Sequence, residues 1–167
     1  MYTDRFVKAD TVINHIKTLS LPPGDYNLQE SYTGFVCVIS VATYEMAIKD
    51  ILVDFCTKNN PLFGNFFASK FSKINGNIEI DKIKGNFLEH FGRKYKKNFG
   101  DMLNHEKNML LKIIHKDIEV SYQNIITWRH HFAHSATFKT PMTATLADVC
   151  DDYEAGKNVI HCLYAAL

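Results

Sequence analysis

Long apolar runs are absent from this 167-residue chain. None approaches the ~20 residues that a membrane-spanning helix needs, and the opening Met1-Tyr2-Thr3-Asp4-Arg5 has no signal-peptide core, so a cytoplasmic protein with no membrane partner is expected. Cysteine is sparse. The four cysteines, Cys37, Cys56, Cys150 and Cys162, are far apart, form no Cys-x-x-Cys pair and sit among apolar residues, so they read as reduced core thiols. There is little excess charge either. A net +1 offers no general attraction for a polyanion, and any nucleic-acid binding has to come from local patches such as Arg93-Lys94-Tyr95-Lys96-Lys97. Internal repeats, low-complexity tracts and interdomain linkers are all missing. At 46% hydrophobic residues the chain can close one core, burying roughly 70% of its unfolded surface, so residues 1–167 are expected to form a single helical domain.

What is present has the period of helices. Thr3 or Asp4 is a plausible first N-cap, with Phe6, Ala9, Ile13 and Ile16 on one stripe up to Leu19. Ser20 to Asp25 stops that helix. A long segment follows from about Glu30 to Lys58, with Phe35, Val38, Ile39, Ala42, Met46, Val53 and Cys56 expected on the buried side. At 1.5 Å per residue it would run to roughly 40 Å, long enough for the spine of a bundle. Asn60 and Pro61 are the N-cap and first residue of another helix, to about Phe71, whose phenylalanines are expected in the core. Asn75-Gly76-Asn77 forms a turn. Ile80, Ile83, Phe87 and Phe91 lie on the next helix, from about Glu79, which Gly92 ends. After the basic run comes a piece centred on Met109 to Ile114. Ser135 to Pro141 is a loop by composition, and Thr145-Leu146-Ala147-Asp148 resembles a capping box opening a last helix that carries Leu146, Val149, Tyr153, Ile160, Leu163 and Leu167. The class is all-α: a single up-down helical bundle with a long second helix.

Chemistry concentrates in Trp128-Arg129-His130-His131-Phe132-Ala133-His134-Ser135. Ile118, Tyr122, Ile125 and Arg129 form one helical stripe, so the guanidinium lies near the packed face and needs an anion, a carboxylate of the fold or a phosphate from outside. Ile126, His130 and His134 form the neighbouring stripe. RNA can be cut without a metal when its own 2′-hydroxyl attacks the phosphorus. One group must then take that proton, another protonate the leaving 5′-oxygen, and a cation hold the developing charge. Histidine suits both proton roles and arginine the charge. Three plainer alternatives stand beside this. Arg129 could pair with Asp148 or Asp151 as a structural cap; His130, His131 and His134 could hold zinc, although the glutamate of His-Glu-x-x-His is missing; and the run from Arg93 to Lys97 could be solvated surface, or an RNA-binding patch on which Tyr95 stacks a base.

Arg129-x-x-x-x-His134, with a polar residue after the arginine, lies at the end of a long helix before a loop and one final helix. That arrangement, the long second helix and the closing segment Thr145 to Ile160 resemble the HEPN superfamily, and look closest to its RiboL-PSP-HEPN-like branch. The resemblance is good from about Gly34 to Ile160 and weaker before that and around Arg93 to Asn104. It implies an all-α bundle that dimerises so that two such motifs share a cleft. It also implies a metal-independent endoribonuclease of the toxin, antiviral-defence or RNA-repair kind, needing no cofactor, with RNA as substrate and room for an antitoxin or regulatory protein as partner; the alternative is a catalytically silent module of the same fold that binds RNA, nucleotide or a partner protein through the same groove. Arg129 and His134 take the two defining positions. His130 stands where many members carry Asn or Asp, as a second proton carrier or as polar filler.

Overall fold

The spine is α2, Tyr26–Asn59, a 34-residue helix in a computed structural model that describes residues 1–19, 25–71, 78–134 and 144–167. The expected stop at residues 20–24, the turn at 75–77 and the loop at 135–141 lie outside the described residues. Helix α2 starts four residues before the expected Glu30, because the Asp25 carboxylate caps the amide of Leu28 and carries a polar first turn into the helix. It also turns a different face inward than its bulkiest residues suggest. Val36, Cys37, Val41, Tyr44, Ala47, Ile48, Ile51 and Leu52 are buried; Cys56 is too, but Phe35, Val38, Ala42 and Met46 face outward, with Ile39 and Val53 in between. Thr33, Ser40 and Thr43 can join the inner face because each hydroxyl bonds the carbonyl four residues back, at 2.7, 2.7 and 2.8 Å. Their polarity therefore does not force them out to water.

The first helix, α1 (Thr3–Thr18), buries Phe6, Ala9, Ile13 and Ile16 as expected, but its cap position is Tyr2 rather than Thr3 or Asp4. Asp4 is instead bonded by the terminal amine of Met1. Helix α3 (Pro61–Phe71) starts as expected, with the Asn60 side chain accepting from the amides of Leu62 and Phe63. Among its described side chains the phenylalanines are largely not core, and the side chain of Phe71 lies outside the described residues. Phe63 and Phe66 are exposed, and Phe67 is half-buried against Phe91. An 11-residue helix lying on α2 has only a narrow face to bury, and here Gly64, seated against Thr57, occupies the centre of it.

The expected helix from Glu79 to Phe91 is split into α4 (Ile80–Lys82), a π-helical turn (Ile83–Leu88) and α5 (Glu89–Phe91). The wider π turn brings Ile83, Phe87 and Leu88 to the core together. Gly92, at φ 122°, a conformation open to glycine, ends α5 and opens α6 (Arg93–Ile114). The separate piece expected around Met109 to Ile114 is thus the end of one 22-residue helix whose first turns are the basic run. Tyr95, Phe99 and Leu103 give that charge-dense stretch its inward stripe.

Helices α7 (Ile118–His134) and α8 (Leu146–Ala166) pack on α2 and on each other. Tyr44 of α2 is stacked between Tyr122 and Tyr153, with centroids 5.0 and 5.7 Å away. All three rings are fully buried and all three hydroxyls are satisfied, by the Tyr153 carbonyl, the Ile78 carbonyl and Asp10. A carboxylate completes the frame. Asp152 of α8, 4% exposed, accepts hydrogen bonds from Lys116 (2.8 Å), Ser121 (2.9 Å) and Asn124 (2.8 Å), locking the start of α7 in rotation and height against α8. The architecture is all-α, with no strand among the described residues.

Candidate active site

Helix α7 carries its inward stripe as the sequence predicts. Ile118, Tyr122 and Ile125 are fully buried, and the next residue of the stripe, Arg129, emerges half-buried at the helix end. On the neighbouring stripe Ile126 is buried and His130 is exposed, and His134 is the last residue of the helix. The end of α7 is held against the first third of α2. Gly34 lies under the ring of Phe132, so close that an added Cβ would fall inside the ring. Glycine is required here by the approach of two helices rather than by backbone conformation.

Among the described residues Arg129 has no ion-pair partner. The acids of α8 that could have served are engaged elsewhere or face water. Asp148 accepts from the amide and hydroxyl of Thr145 (3.0 and 2.7 Å) while Thr145 caps the amide of Asp148, the reciprocal capping box expected from the sequence. These bonds hold the Asp148 carboxyl below its usual range. Asp152 is committed to Lys116, Ser121 and Asn124, and Asp151 is exposed. The structural-cap pairing of Arg129 with Asp148 or Asp151 is therefore not made. Among the described residues, which do not include the His134 side chain, no group of three or more His, Cys, Asp or Glu lies together as a metal site. The four cysteines are free and buried, as expected. Burial pushes the Cys37 thiol up to about 12 and those of Cys56 and Cys162 up to about 11, far from nucleophilic thiolates.

The basic run does not join this site. Arg93, Lys94, Lys96 and Lys97 are exposed on the first turns of α6, and Tyr95 meets the edge of Phe55, with ring centroids 5.1 Å apart. Phe55 and Gly34 are at opposite ends of α2, about 30 Å apart at 1.5 Å of rise per residue. Tyr95 is half-buried, and its contact with Phe55 ties α6 to α2. Lys96 is paired with Glu89, and Arg93, Lys94 and Lys97 have no carboxylate partner among the described residues. Exposed rings that the sequence assigned to the core, Phe63 and Phe66, lie at this same end. The signal for them was an excess of aromatic residues over what one face of an 11-residue helix can cover.

No helix among the described residues is long and apolar enough to cross a membrane. Comparisons with curated proteins and with solved structures gave no significant match. The profile of one family does match, over residues 4–167, which includes the long second helix, the Arg129-to-His134 helix end and the capped last helix. The chain belongs to the RiboL-PSP-HEPN family.

Proposed function

We propose that this protein is a metal-independent endoribonuclease in which Arg129 and His134 are the catalytic pair, acting as a toxin or defence effector under the control of a partner protein. The observation that carries the reading is the state of Arg129. A guanidinium half-buried at the end of a fully buried stripe, without a carboxylate among the described residues, is poised for an anion from outside, and a planar fork suits two phosphate oxygens. In the reaction the ribose 2′-oxygen forms the new bond to phosphorus as a base takes its proton. The bond from phosphorus to the 5′-oxygen breaks as an acid protonates the leaving oxygen, giving a 2′,3′-cyclic phosphate and a 5′-hydroxyl. His134 supplies one of these proton roles, and Arg129 stabilises the negative charge that builds on the phosphoryl oxygens.

The second proton carrier comes from His130 or from a second copy of the chain. Arg129 and His134 are five positions apart and point about 140° away from each other on an ideal helix, so one chain makes a poor clamp. The outward stripe of Phe35, Val38, Ala42 and Met46 supports a homodimer, since it begins beside Gly34, where α7 ends, and runs about 16 Å along α2. A two-fold axis there would place both copies of the motif in one cleft.

Purified protein incubated with RNA tests the reading, with Arg129→Ala and His134→Ala as variants. Each is expected to lower the cleavage rate by about two orders of magnitude or more while the circular dichroism stays that of a folded helical protein. Cleavage at the wild-type rate by either variant refutes the assignment. Wild-type protein that binds RNA without cutting it makes the chain a silent binding module of the same fold.

A further inference from the structure

The exposed phenylalanines of α3 and the cations in the first turns of α6 lie at the same end of α2, joined by a chain of ring contacts. On α3 the rings of Phe63 and Phe66 are 43% and 55% exposed, and Lys70 lies 5.6 Å over the Phe66 ring. From Phe63 a continuous ladder of rings leads through Phe67, Phe91 and Phe55 to Tyr95, with successive centroids 4.8, 5.4, 5.1 and 5.1 Å apart. At its far end Lys94 lies over Tyr95 at 5.7 Å. The inner rings tie α3 and α6 to α2 through Phe55 and Phe91, leaving Phe63 and Phe66 at one end and the cations of α6 at the other.

The charge on α6 runs against helix electrostatics. The N-terminal turn of a helix is positive and favours acidic side chains, yet this one has no acid and carries Arg93, Lys94, Lys96 and Lys97 in its first two turns. Only Lys96 has a carboxylate, Glu89, among the described residues. Cations clustered where the helix dipole opposes them, with Glu89 the one carboxylate paired to them among the described residues, are complementary to an external polyanion, and the exposed phenylalanines at the other end of the ring ladder offer faces on which bases stack irrespective of sequence.

We infer that Phe63 and Phe66 of α3, with Arg93, Lys94 and Lys97 of α6, form a second binding surface for single-stranded RNA, at the Phe55 end of α2 and about 30 Å of helix from the Gly34 contact that seats the end of α7. The inference rests on the reading of RNA as substrate and adds a length requirement. A strand that reaches both places covers about 30 Å, roughly nine nucleotides at the 3.4 Å spacing of stacked bases and fewer where the strand is extended. A long RNA is held at both ends of α2; a very short one is held only at the cleft.

Binding rather than cleavage is the readout, measured by fluorescence anisotropy with labelled RNAs of ~4 and ~20 nucleotides on the full chain. Wild-type protein is expected to prefer the long RNA, and in Phe63→Ala/Phe66→Ala that preference falls by roughly tenfold per stacked ring. In Lys94→Glu/Lys97→Glu the slope of log affinity against log salt is expected to shrink by about 0.7 for each lost phosphate contact. Both variants are on exposed positions, and circular dichroism checks that they fold. Long-RNA affinity and salt slope that remain those of wild type in both folded variants overturn the inference. So does displacement of the long RNA by an equal concentration of polyglutamate, which would assign the surface to an acidic protein. A protein that binds long RNA through these residues but does not cut it would refute the nuclease reading and leave this one standing.

Discussion

Gly34→Ala is the substitution in which the structure makes its sharpest demand. Two effects oppose each other. Alanine in the interior of a helix gains about 1 kcal/mol over glycine. Against that, the new methyl group falls inside the Phe132 ring, and overpacking of this kind costs about 1–3 kcal/mol. The net loss is therefore about 0–2 kcal/mol, a fall in Tm of at most about 8 °C for a chain of this size. Activity should suffer far more. Phe132 belongs to the same final turns of α7 as Arg129 and His134, so a ring pushed off α2 takes the pair with it. A shift of about 1 Å is enough for roughly a hundredfold loss of rate. The assay pairs a thermal melt with an RNA-cleavage time course, for Gly34→Ala and for the double variant Gly34→Ala/Phe132→Leu. The smaller side chain makes room for the methyl, so the double variant should cleave faster than Gly34→Ala alone. If Gly34→Ala melts with wild-type protein and cleaves within about threefold of its rate, the contact does not position the motif and the reasoning fails.

Three further outcomes are expected. Chelators should leave the cleavage rate unchanged and the products should end in 2′,3′-cyclic phosphate, because in the proposed reaction Arg129 and His134 supply charge and proton transfer without a carboxylate cluster; activity lost to EDTA and restored by added metal would count against this mechanism. Arg129→Ala and His134→Ala protein refolded together should regain partial activity through mixed dimers that keep one arginine and one histidine in a shared cleft, whereas mixed dimers shown to be present but inactive would rule out that simple arrangement. Asp152→Ala should destabilise the fold by about 2–4 kcal/mol in urea titrations, since it leaves the buried Ser121 hydroxyl and the Asn124 amide without their acceptor, with the share of the partly exposed Lys116 discounted; a loss below about 1 kcal/mol would show that water replaces the carboxylate.

Signals that act within one turn or along one stripe were legible from residues alone. Asn60 before Pro61 and the reciprocal Thr145 and Asp148 are caps closed by neighbours in the chain, and both stand as read. The stripe of Ile118, Tyr122 and Ile125 has polar residues on its other flank, so only one face of α7 could go inside, and Arg129 followed from it. Tertiary structure decided what depends on competition between distant groups. Helix α2 is apolar around most of its circumference, and its self-satisfied hydroxyls at Thr33, Ser40 and Thr43 let the face with Tyr44 win the core over the face with Phe35 and Met46. The phenylalanines of α3 outnumber the places α2 offers, so which of them is buried is a question of geometry and not of hydrophobicity. The partner of Arg129 was undecidable in the same way, because several acids of α8 were in reach by sequence. Only the packing of α7 on α8 commits Asp152 to Lys116, Ser121 and Asn124, leaving the guanidinium without a carboxylate among the described residues. Sequence alone determined that this chain is a helical bundle with an arginine and a histidine at one helix end; the third dimension decided which charges were already neutralised.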